Sequence, residues 1–327
     1  MPKISVVIPA YNAELTIAET INSVLLQTFT NFELIVINDG SKDKTLEIVE
    51  GIDDKRVKVF SYENGGLPTA RNRGITRAVG EFIAFLDADD LWTPDKLELQ
   101  LAALQQHPEA GVAYSWTCVM NVDAQGKPVS YHPCLEYSFT GNVYQQLLMG
   151  DFIHSGSNTL IRRQAIASVG GFDPTLKSCE DWDYWLRLAA CWQFVVVPKY
   201  QIFYRRTPGA MSSKVEVMKE AALLALEKAY QTAPPELQFL KPLTLINFHK
   251  YCADLYLQYR TDSHSIWQAL QHLWSIICLS PKNLIEKTTQ KLLIKSFVLL
   301  VFPSQVVIYL RQFKRKLLLN RNSSFMS

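Results

Sequence analysis

The segment EFIAFLDADDLWTPDKL, residues 81–97, joins a run of apolar residues directly to three closely spaced acids, Asp87, Asp89 and Asp90. Carboxylates this close repel one another, and a metal ion or a cationic ligand makes such an arrangement tolerable. The structural alternative is an acidic turn before a helix that starts near Thr93-Pro94-Asp95. The segment therefore indicates either a ligand site at the end of a buried strand or a helix start.

Short β-rich runs recur on both sides of this segment, and helical patterns separate them. The runs are ISVVIP (4–9), FELIVIN (32–38), RVKVFSY (56–62), EFIAFLD (81–87) and GVAYSW (111–116). Continuous hydrophobicity of this kind is typical of strands that are buried on both faces in a parallel sheet. One helical face collects Ile17, Ile21, Val24 and Leu25, and another collects Leu97, Leu101 and Leu104. The alternation predicts an α/β doubly wound fold, a Rossmann-like and mainly parallel sheet flanked by helices.

Polar clusters follow three of the predicted strands at their carboxyl ends. They are Ala10-Tyr11-Asn12, Asp39-Gly40-Ser41 and Asp87-Ala88-Asp89-Asp90. Ligands of open α/β sheets bind beyond the carboxyl ends of the strands, so we expect the three clusters to share one edge. Two carboxylates on a rigid element suit Mg²⁺ or Mn²⁺ that also holds substrate phosphates.

The pattern changes twice along the rest of the chain. Residues 118–212 contain turns, the acidic and aromatic helix CEDWDYWLRLAA (179–190), and the strands QFVVVP (193–198) and QIFYRR (201–206). After Ser213 the chain reads as helices punctuated by prolines. We predict one α/β domain over 1–212 and a helical C-terminal region over 213–327.

Net charge and cysteine content limit the cellular compartment and the partners that can be expected. The net charge of +2 is no reason to expect nucleic acid, and no motif supports it. Six cysteines stand singly with no C-x-x-C spacing, which favours a reducing compartment. The first residues lack the apolar core of a signal peptide, because the run breaks at Pro9. We expect a cytoplasmic protein.

The last segment, residues 281–327, is strongly basic: nine Lys and Arg against Glu286 alone give +8, so the remainder carries 2 − 8 = −6. The apolar stretch from residue 296 breaks at Pro303 and is shorter than the roughly 20 residues of a membrane helix. Two interpretations stay open. The tail is an interfacial anchor on anionic lipid at the cytoplasmic face of a membrane, or a helix that packs on the domain or on a second subunit.

Four segments stand in the order and spacing of a known family. They are residues 4–49, NGGLPTARNRGI (64–75), GEFIAFLDADDLWTPDKL (80–97) and GGFDPTLKSCEDWDYWLRL (170–188). Over about residues 3–212 the chain resembles the inverting family 2 glycosyltransferases of the GT-A fold. The resemblance implies a nucleotide-binding half over 1–117 and an acceptor-binding half over 118–212.

The resemblance also implies a site for the donor nucleotide. Ala10 and Tyr11 lie where the family binds the nucleotide, and the Tyr11 ring offers a flat face to a base. Asp39 matches the position that accepts a hydrogen bond from the uracil ring. An N-cap for a helix predicted over 41–51 is a second role open to Asp39.

Five arginines need separate expectations. Arg71 matches a basic residue near the nucleotide, where a guanidinium suits a diphosphate or a carbonyl. Arg73 and Arg77 are expected on a solvated helix face. Arg205 and Arg206 are candidates for diphosphate contact, although Thr207 follows them where many relatives place a histidine.

The remaining roles concern metal and chemistry. By resemblance, Asp87 lies on the ribose or metal side, and Asp89 ligates a Mn²⁺ or Mg²⁺ ion that bridges the diphosphate and acts as a Lewis acid on the leaving group. The same resemblance makes Asp181 the general base; an acidic first turn that stabilises its own helix is the alternative. Glu180 and Trp182 are expected near the diphosphate or the acceptor.

The expected activity is transfer of a sugar from a nucleotide sugar to a hydroxyl of a saccharide or lipid-linked acceptor, with inversion at the anomeric carbon. A UDP-sugar is the expected donor. Polysaccharide, lipopolysaccharide or other glycoconjugate synthesis is the expected setting. An inactive nucleotide-sugar-binding module is one alternative. A dinucleotide-dependent oxidoreductase is another, but the chain has PAYNAE where that class has a G-x-G-x-x-G turn.

Overall fold

The computed structural model describes residues 1–123, 125–206, 215–259 and 262–301. The chain divides into two compact units, residues 1–238 and 239–327. Most of the basic tail, residues 302–327, for which a lipid anchor and a packed helix were both left open, and the segment that follows Arg206 lie outside the described residues.

One sheet of nine strands organises the described part of the first unit. The strands are β1 Ile4–Ala10, β2 Phe32–Asn38, β3 Val57–Ser61, β4 Phe82–Phe85, β5 Leu91–Trp92, β6 Ala110–Val122, β7 Pro128–Pro133, β8 Leu160–Arg162 and β9 Gln193–Arg206. Their order is β3-β2-β1-β4-β8-β6-β9-β5, and β7 pairs with β6. The pairs β1–β2, β2–β3, β1–β4 and β6–β9 are parallel, and β8 joins β4 to β6 antiparallel.

Helices cover this sheet and form the second unit. The first unit contains α1 Ile17–Leu25, α2 Thr45–Glu50, α3 Leu67–Arg77, α4 Lys96–Gln106, α5 Tyr144–Met149, α6 Arg163–Val169, α7 Glu180–Ala189 and α8 Val215–Thr232. The second contains α9 Lys241–Tyr259, α10 Ser263–Leu279 and α11 Lys287–Val301. Two 3₁₀ helices, Pro235–Leu240 and Pro281–Ile285, precede α9 and α11. In the described residues we find no helix that combines the length and the apolar character needed to span a bilayer.

The strand pattern of the sequence is confirmed where hydrophobicity is continuous. All seven residues of β1 and all seven of β2 are buried, as expected for central parallel strands. The predicted apolar faces of α1 and α4 are buried as well, except that Leu25 is only partly buried. Because the chain passes from β1 to β2 on one side and returns to β4 on the other, the strand order reverses beside β1. The loops after β1, β2 and β4 therefore meet at a topological switch point.

Short and irregular elements were not predicted. Strands β5 and β8 contain two and three residues, too few to show any periodicity. The two strands predicted over 193–198 and 201–206 are one strand, β9, whose register against β6 shifts around Ser115 and Trp116. Pro198 lies within β9 near this irregularity, a position where a strand tolerates proline.

Helix α3 packs unusually close to β1, and a glycine makes this possible. A Cβ atom on Gly74 would lie 2.1 Å from Cγ1 of Val7. Ordinary Cβ contacts are much longer, so any larger residue would push the helix off the sheet. This contact fixes the helix that carries Arg71 and Arg73 against the carboxyl edge of the sheet.

Helix α8 belongs to the first compact unit, whereas the sequence pattern groups it with the C-terminal helices. The hydroxyl of Tyr144 donates to the carbonyl of Ala229 at 3.1 Å, and Lys228 donates to Asp183 on α7 at 2.6 Å. These contacts link α8 to α5 and α7. Such links between distant segments have no local signature in the sequence.

Candidate functional site

The loops after β1 and β2 are tied to each other by side chains. The backbone N–H of Asn12 donates to Ser41 Oγ at 3.1 Å, and the N–H of Lys42 donates to Asn12 Oδ1 at 2.8 Å. Asn12 has a φ of 49°, a left-handed conformation that asparagine tolerates. Ala10 is buried, and Tyr11 is half exposed at this edge. The contact of Tyr11 with a base stays a prediction.

Asp39 anchors the turn that leads into α3. Its buried carboxylate accepts the backbone N–H groups of Gly65 and Gly66, at 3.0 and 2.8 Å. Arg73 Nη1 donates to the same carboxylate at 2.6 Å and to the carbonyl of Glu63 at 2.9 Å. The expectation of a solvated Arg73 is therefore wrong, since the side chain is a counter-ion of Asp39. The two residues are 34 positions apart, and no local pattern connects them.

The capping role considered for Asp39 is not present. Helix α2 begins at Thr45, with Lys44 at the N-cap position and no side-chain capping bond. Asp39 is committed to the glycine turn instead. Its contact with the uracil ring stays a prediction.

Arg71 lies buried between two acids from different parts of the chain. Only 1% of the residue is exposed. Nη2 donates to Asp87 Oδ1 at 2.6 Å and Nη1 donates to Glu180 Oε1 at 2.7 Å. Burial opposes the charged form, but the charges of Asp87 and Glu180 raise the pKa of Arg71 above its usual value. Arg71 thus joins the end of β4 to the start of α7, and its predicted contact with the donor stays a prediction.

Within the acidic loop, Asp90 is a structural anchor. It is fully buried, and its carboxylate accepts Ser157 Oγ at 2.6 Å and the backbone N–H of Arg205 at 2.9 Å. Ser157 Oγ also accepts the backbone N–H of Asp87 at 3.0 Å. Burial, together with its acidic neighbours, raises the pKa of Asp90 well above its ordinary value.

Asp87 and Asp89 are the acids of this loop that remain partly accessible. Burial, followed by the charge of Asp87, raises the pKa of Asp89 to about 6. In the described residues, no side chain donates a hydrogen bond to the Asp89 carboxylate. A partly accessible carboxylate that has acidic neighbours and no side-chain donor is the kind of group that a cation stabilises.

These two carboxylates suit a metal ion whose remaining ligands come from the substrate and from water. The residues described here contain no group of three or more His, Cys, Asp or Glu able to hold an ion by themselves. Mg²⁺ commonly binds through one or two carboxylates, with waters and substrate phosphates filling the other positions. Asp87 and Asp89 satisfy that pattern.

The acids at the start of α7 have different partners. Glu180 is bonded to Arg71. Asp183 is buried and accepts Arg187 Nε at 2.9 Å and Lys228 Nζ at 2.6 Å. Asp181 accepts the backbone N–H of the next residue at 2.8 Å, and none of the side chains in the described segments donates to it. Of the three, Asp181 is therefore the acid whose carboxylate is not held by a cation.

Asp151 is a residue of this site that the sequence did not indicate. Burial and then the charge of Asp151 raise the pKa of Asp181 to about 6. Burial likewise raises the pKa of Asp151 to about 6, although the N–H groups of Ile153 and His154 donate to its carboxylate at 2.9 and 3.3 Å. Asp151 follows α5 and lies far from Asp181 in sequence, so no spacing could have linked them.

Left-handed backbone is concentrated around these residues. His154, three positions after Asp151, has a φ of 68°, and Cys179, which precedes Glu180, has a φ of 54°. Non-glycine residues adopt such angles at a cost, and they cluster at functional sites.

Trp182, on α7, packs towards α5, and its contact with an acceptor or a diphosphate stays a prediction. The ring is buried, and its Nε1 donates to the carbonyl of Leu147 at 2.9 Å. Its neighbour Trp185 is completely buried. Trp182 thereby holds α7 against α5, with Asp181 at the start of the helix.

Arg205 holds the acidic loop instead of presenting a free guanidinium. Its Nε donates to the carbonyl of Asp89 at 2.6 Å, and its Nη2 pairs with Glu19. The residue is buried, so the predicted diphosphate contact would require these bonds to be replaced. Arg206 is half buried at the end of β9, and its contact with a diphosphate stays a prediction.

Comparison with known proteins gives matches over most of the chain. The model of the family described as "Glycosyltransferase like family 2" matches residues 5–253. An uncharacterized glycosyltransferase of Rickettsia felis is 32% identical over 245 residues, which cover 74% of this chain and 39% of that protein.

Two named glycosyltransferases match a shorter part of this chain. The putative teichuronic acid biosynthesis glycosyltransferase TuaG of Bacillus subtilis is 40% identical over 131 residues, 39% of this chain and 51% of that protein. WfgD of Escherichia coli, a UDP-Glc:alpha-D-GlcNAc-diphosphoundecaprenol beta-1,3-glucosyltransferase, is 39% identical over 128 residues, 39% of this chain and 51% of that protein. The chain thus spans about half the length of these two relatives.

Solved structures share the fold. Residues 1–349 of Staphylococcus aureus TarS in complex with UDP superpose with a TM-score of 0.58 at 23% identity, covering 91% of this chain and 88% of that one. The mannosyltransferase PcManGT of Pyrobaculum calidifontis, in complex with GDP-Man and Mn²⁺, gives a TM-score of 0.57 at 18% identity, covering 91% and 86%. The predicted GT-A architecture, a mainly parallel sheet flanked by helices with C-terminal helices, is confirmed.

Proposed function

Because the chain belongs to glycosyltransferase-like family 2, we propose that it moves a sugar from a nucleotide sugar, with UDP as the nucleotide, to an acceptor hydroxyl. WfgD, whose name specifies a UDP-linked donor, supports the choice of nucleotide. Family membership sets aside the oxidoreductase alternative. The acceptor we propose is a saccharide or a lipid-linked saccharide at the face of a membrane, in synthesis of a surface polysaccharide, as the names of WfgD and TuaG suggest.

The observation that carries the proposal is the distribution of partners among the acids of α7. Glu180 is neutralised by Arg71, and Asp183 by Arg187 and Lys228. No described cation forms an ion pair with the Asp181 carboxylate, although the charge of Arg71 acts to lower its pKa. A pKa of about 6 leaves this group mostly ionised near neutral pH and still basic enough to accept a proton.

The reaction then needs few groups from the chain. The acceptor oxygen attacks the anomeric carbon from the face opposite the diphosphate, and its proton passes to Asp181. The bond between the anomeric carbon and the diphosphate oxygen breaks, and the nucleoside diphosphate leaves with the electron pair. Inversion follows from a single displacement of this kind.

Asp87 and Asp89 would hold a divalent ion in this proposal. When bound, Mn²⁺ or Mg²⁺ neutralises the charge on the departing nucleoside diphosphate. The chain holds the two acids in place from several sides: Arg71 binds the Asp87 carboxylate, and Arg205 binds the Asp89 carbonyl. Asp90 fixes the loop by accepting a hydrogen bond from Ser157 Oγ.

Isothermal titration with UDP, GDP and dTDP, each with and without Mn²⁺, tests the donor site. We expect UDP to bind only when metal is present, and Asp89→Ala to abolish that binding. Asp53→Ala, a change at an exposed acid, is the matched control and should bind as the wild type does. If UDP binds equally well without metal and to the Asp89→Ala variant, the acidic loop is structural.

Turnover separates the enzyme from an inactive binding module. Release of UDP from UDP-sugars in the presence of candidate acceptors measures transfer directly. A chain that binds UDP with metal but transfers no sugar to any saccharide or lipid-linked acceptor would support the module.

A further inference from the structure

Helix α10, in the second unit, presents an exposed stripe that carries two tryptophans. Residues 264, 267, 271, 274 and 278 recur at helical spacing and are all exposed. Trp267 is 62% exposed and Trp274 is 67% exposed. The opposite face, with Ile266, Ala269 and Ile276, is buried. The helix therefore packs through its buried face, and the two tryptophans take no part in that packing.

Helix α11 repeats this arrangement with lysines added. Lys287, Lys291, Ile294 and Phe297 form one stripe along its outer side, and all four are exposed. Ile294 is 63% exposed and Phe297 is 64% exposed. The inward face carries Leu292 and Leu299, which are buried. The outer stripe thus changes from basic to apolar along the helix.

Charge distinguishes this unit from the rest of the chain. Residues 239–327 contain twelve Lys and Arg and three Asp and Glu, which gives 12 − 3 = +9. The first 238 residues therefore carry 2 − 9 = −7. An exposed apolar stripe within a strongly basic unit is complementary to a surface that is both apolar and anionic.

A cavity of about 370 Å³ between α9 and α11 opens beside the basic end of the α11 stripe. Lys250 and Lys295 line it, and they pair with Glu286 and Asp254. Lys291, which also lines it, has no ion pair within the segments that the structure describes. It is placed to meet a phosphate group.

We propose that the outer faces of α10 and α11 dock on the surface of an anionic lipid bilayer. Trp267 and Trp274 enter the interfacial region, where amphipathic aromatic rings are favoured, and the apolar ring of Phe297 enters with them. Lys287 and Lys291 face lipid phosphates. A contact between two copies of the chain fits less well, because lysine is depleted at protein interfaces. The proposal goes beyond the proposed activity, since docking needs neither donor nor acceptor.

Vesicle sedimentation of the full chain tests this docking. Phosphatidylcholine vesicles with and without phosphatidylglycerol are the probes. We expect at least tenfold stronger binding to the anionic vesicles, a loss of binding in high salt, and a blue shift of tryptophan fluorescence on binding. Trp267→Gln/Trp274→Gln should weaken binding at least tenfold and abolish the blue shift.

Matched variants isolate the two contributions. Lys287→Glu/Lys291→Glu should weaken binding to anionic vesicles at least tenfold. Lys55→Glu and Leu135→Gln change an exposed lysine and an exposed leucine of the first unit and should have no effect. Metal-dependent UDP binding, measured on each variant, shows that the first unit is folded and separates this proposal from the donor-site proposal.

Three outcomes would overturn the proposal. The first is equal binding to neutral and anionic vesicles. The second is unchanged binding of the double tryptophan variant, which would assign any lipid affinity to other parts of the chain. The third is a wild-type chain that ignores vesicles but self-associates, with the tryptophan variant remaining monomeric in analytical ultracentrifugation. That result would make the stripe an interface between copies.

Discussion

Replacing Arg71 with methionine removes the cation that lies between Asp87 and Glu180. Both hydrogen bonds to these acids are short, 2.6 and 2.7 Å, and the guanidinium is almost fully buried. Methionine is flexible and apolar, so it keeps much of the volume while removing the charge. The variant therefore leaves two carboxylates, one of them buried, without their counter-ion.

The cost can be worked out from the structure. Removing one partner of a buried ion pair typically costs about 3–5 kcal/mol. For a unit of this size, that corresponds to a fall of roughly 6–20 °C in the melting temperature. The pKa of Glu180 is already raised to about 7, mainly by burial, and Arg71 acts to lower it. Without Arg71 that pKa rises further, so Glu180 becomes neutral more readily.

The sign of the pH dependence follows. An acid whose pKa is higher in the folded state destabilises the fold when it ionises, and that penalty disappears as the pH falls through the folded pKa. We therefore expect a large loss of stability near pH 8 and a smaller one near pH 6. Thermal unfolding followed by circular dichroism at both pH values measures it.

Two comparisons make the test specific. Arg77→Met changes an exposed arginine of the same helix, which contacts Tyr62, and should lower the melting temperature much less. Adding Glu180→Gln to Arg71→Met should recover part of the loss, because the orphaned charge is gone. A melting temperature within about 2 °C of the wild type near pH 8, or an equal fall at both pH values, would refute the reasoning.

Four further results are expected. Asp181→Asn should lower kcat by about 10²–10⁴-fold with UDP affinity unchanged by titration; a normal kcat would exclude Asp181 as the base. Asp151→Asn should move the acidic limb of the kcat/KM profile to lower pH, because removing a negative neighbour lowers the pKa of Asp181; an unmoved limb would contradict this coupling. Without ligands, the melting temperature should be higher at about pH 6 than at about pH 8, because burial raises the folded pKa of several acids of the site. This difference should be smaller with UDP and Mn²⁺ present. A lower melting temperature at pH 6 than at pH 8 in the free protein would contradict the prediction. Gly74→Ala should lower the free energy of unfolding by about 1–3 kcal/mol, because the added methyl group clashes with Val7. Gly51→Ala, whose methyl group meets only ordinary contacts, should change that free energy by no more than about 0.5 kcal/mol. Equal unfolding curves for the two variants would argue against the close packing of α3.

Much of the polar edge of the sheet was readable in the sequence. Continuous apolar runs identified β1 and β2, because a strand buried on both faces has no polar alternation. The acids of residues 87–90 followed such a run, so their position at the carboxyl end of β4 was also predictable. The order of the four segments then indicated the family, and the comparisons confirmed it.

The partners of the charged side chains were not readable in the same way. Arg73 was expected in solvent and instead holds Asp39. Arg205 donates to the carbonyl of Asp89 and Trp182 to the carbonyl of Leu147, and the sequence indicates neither bond. Asp151 had no motif at all. In each case the partner comes from a segment that only the folded sheet and its helices bring near.

The sequence by itself therefore determined the class of fold, the edge of the sheet where the polar loops gather, and the candidate acids, because these depend on local patterns of burial along the chain. The tertiary structure decided which acid remains without a cation. Arg71 and Glu180 are 109 residues apart, and their pairing depends on how α3 and α7 pack around the end of β4. Charge neutralisation is a property of distances in space, and spacing along a chain does not contain it.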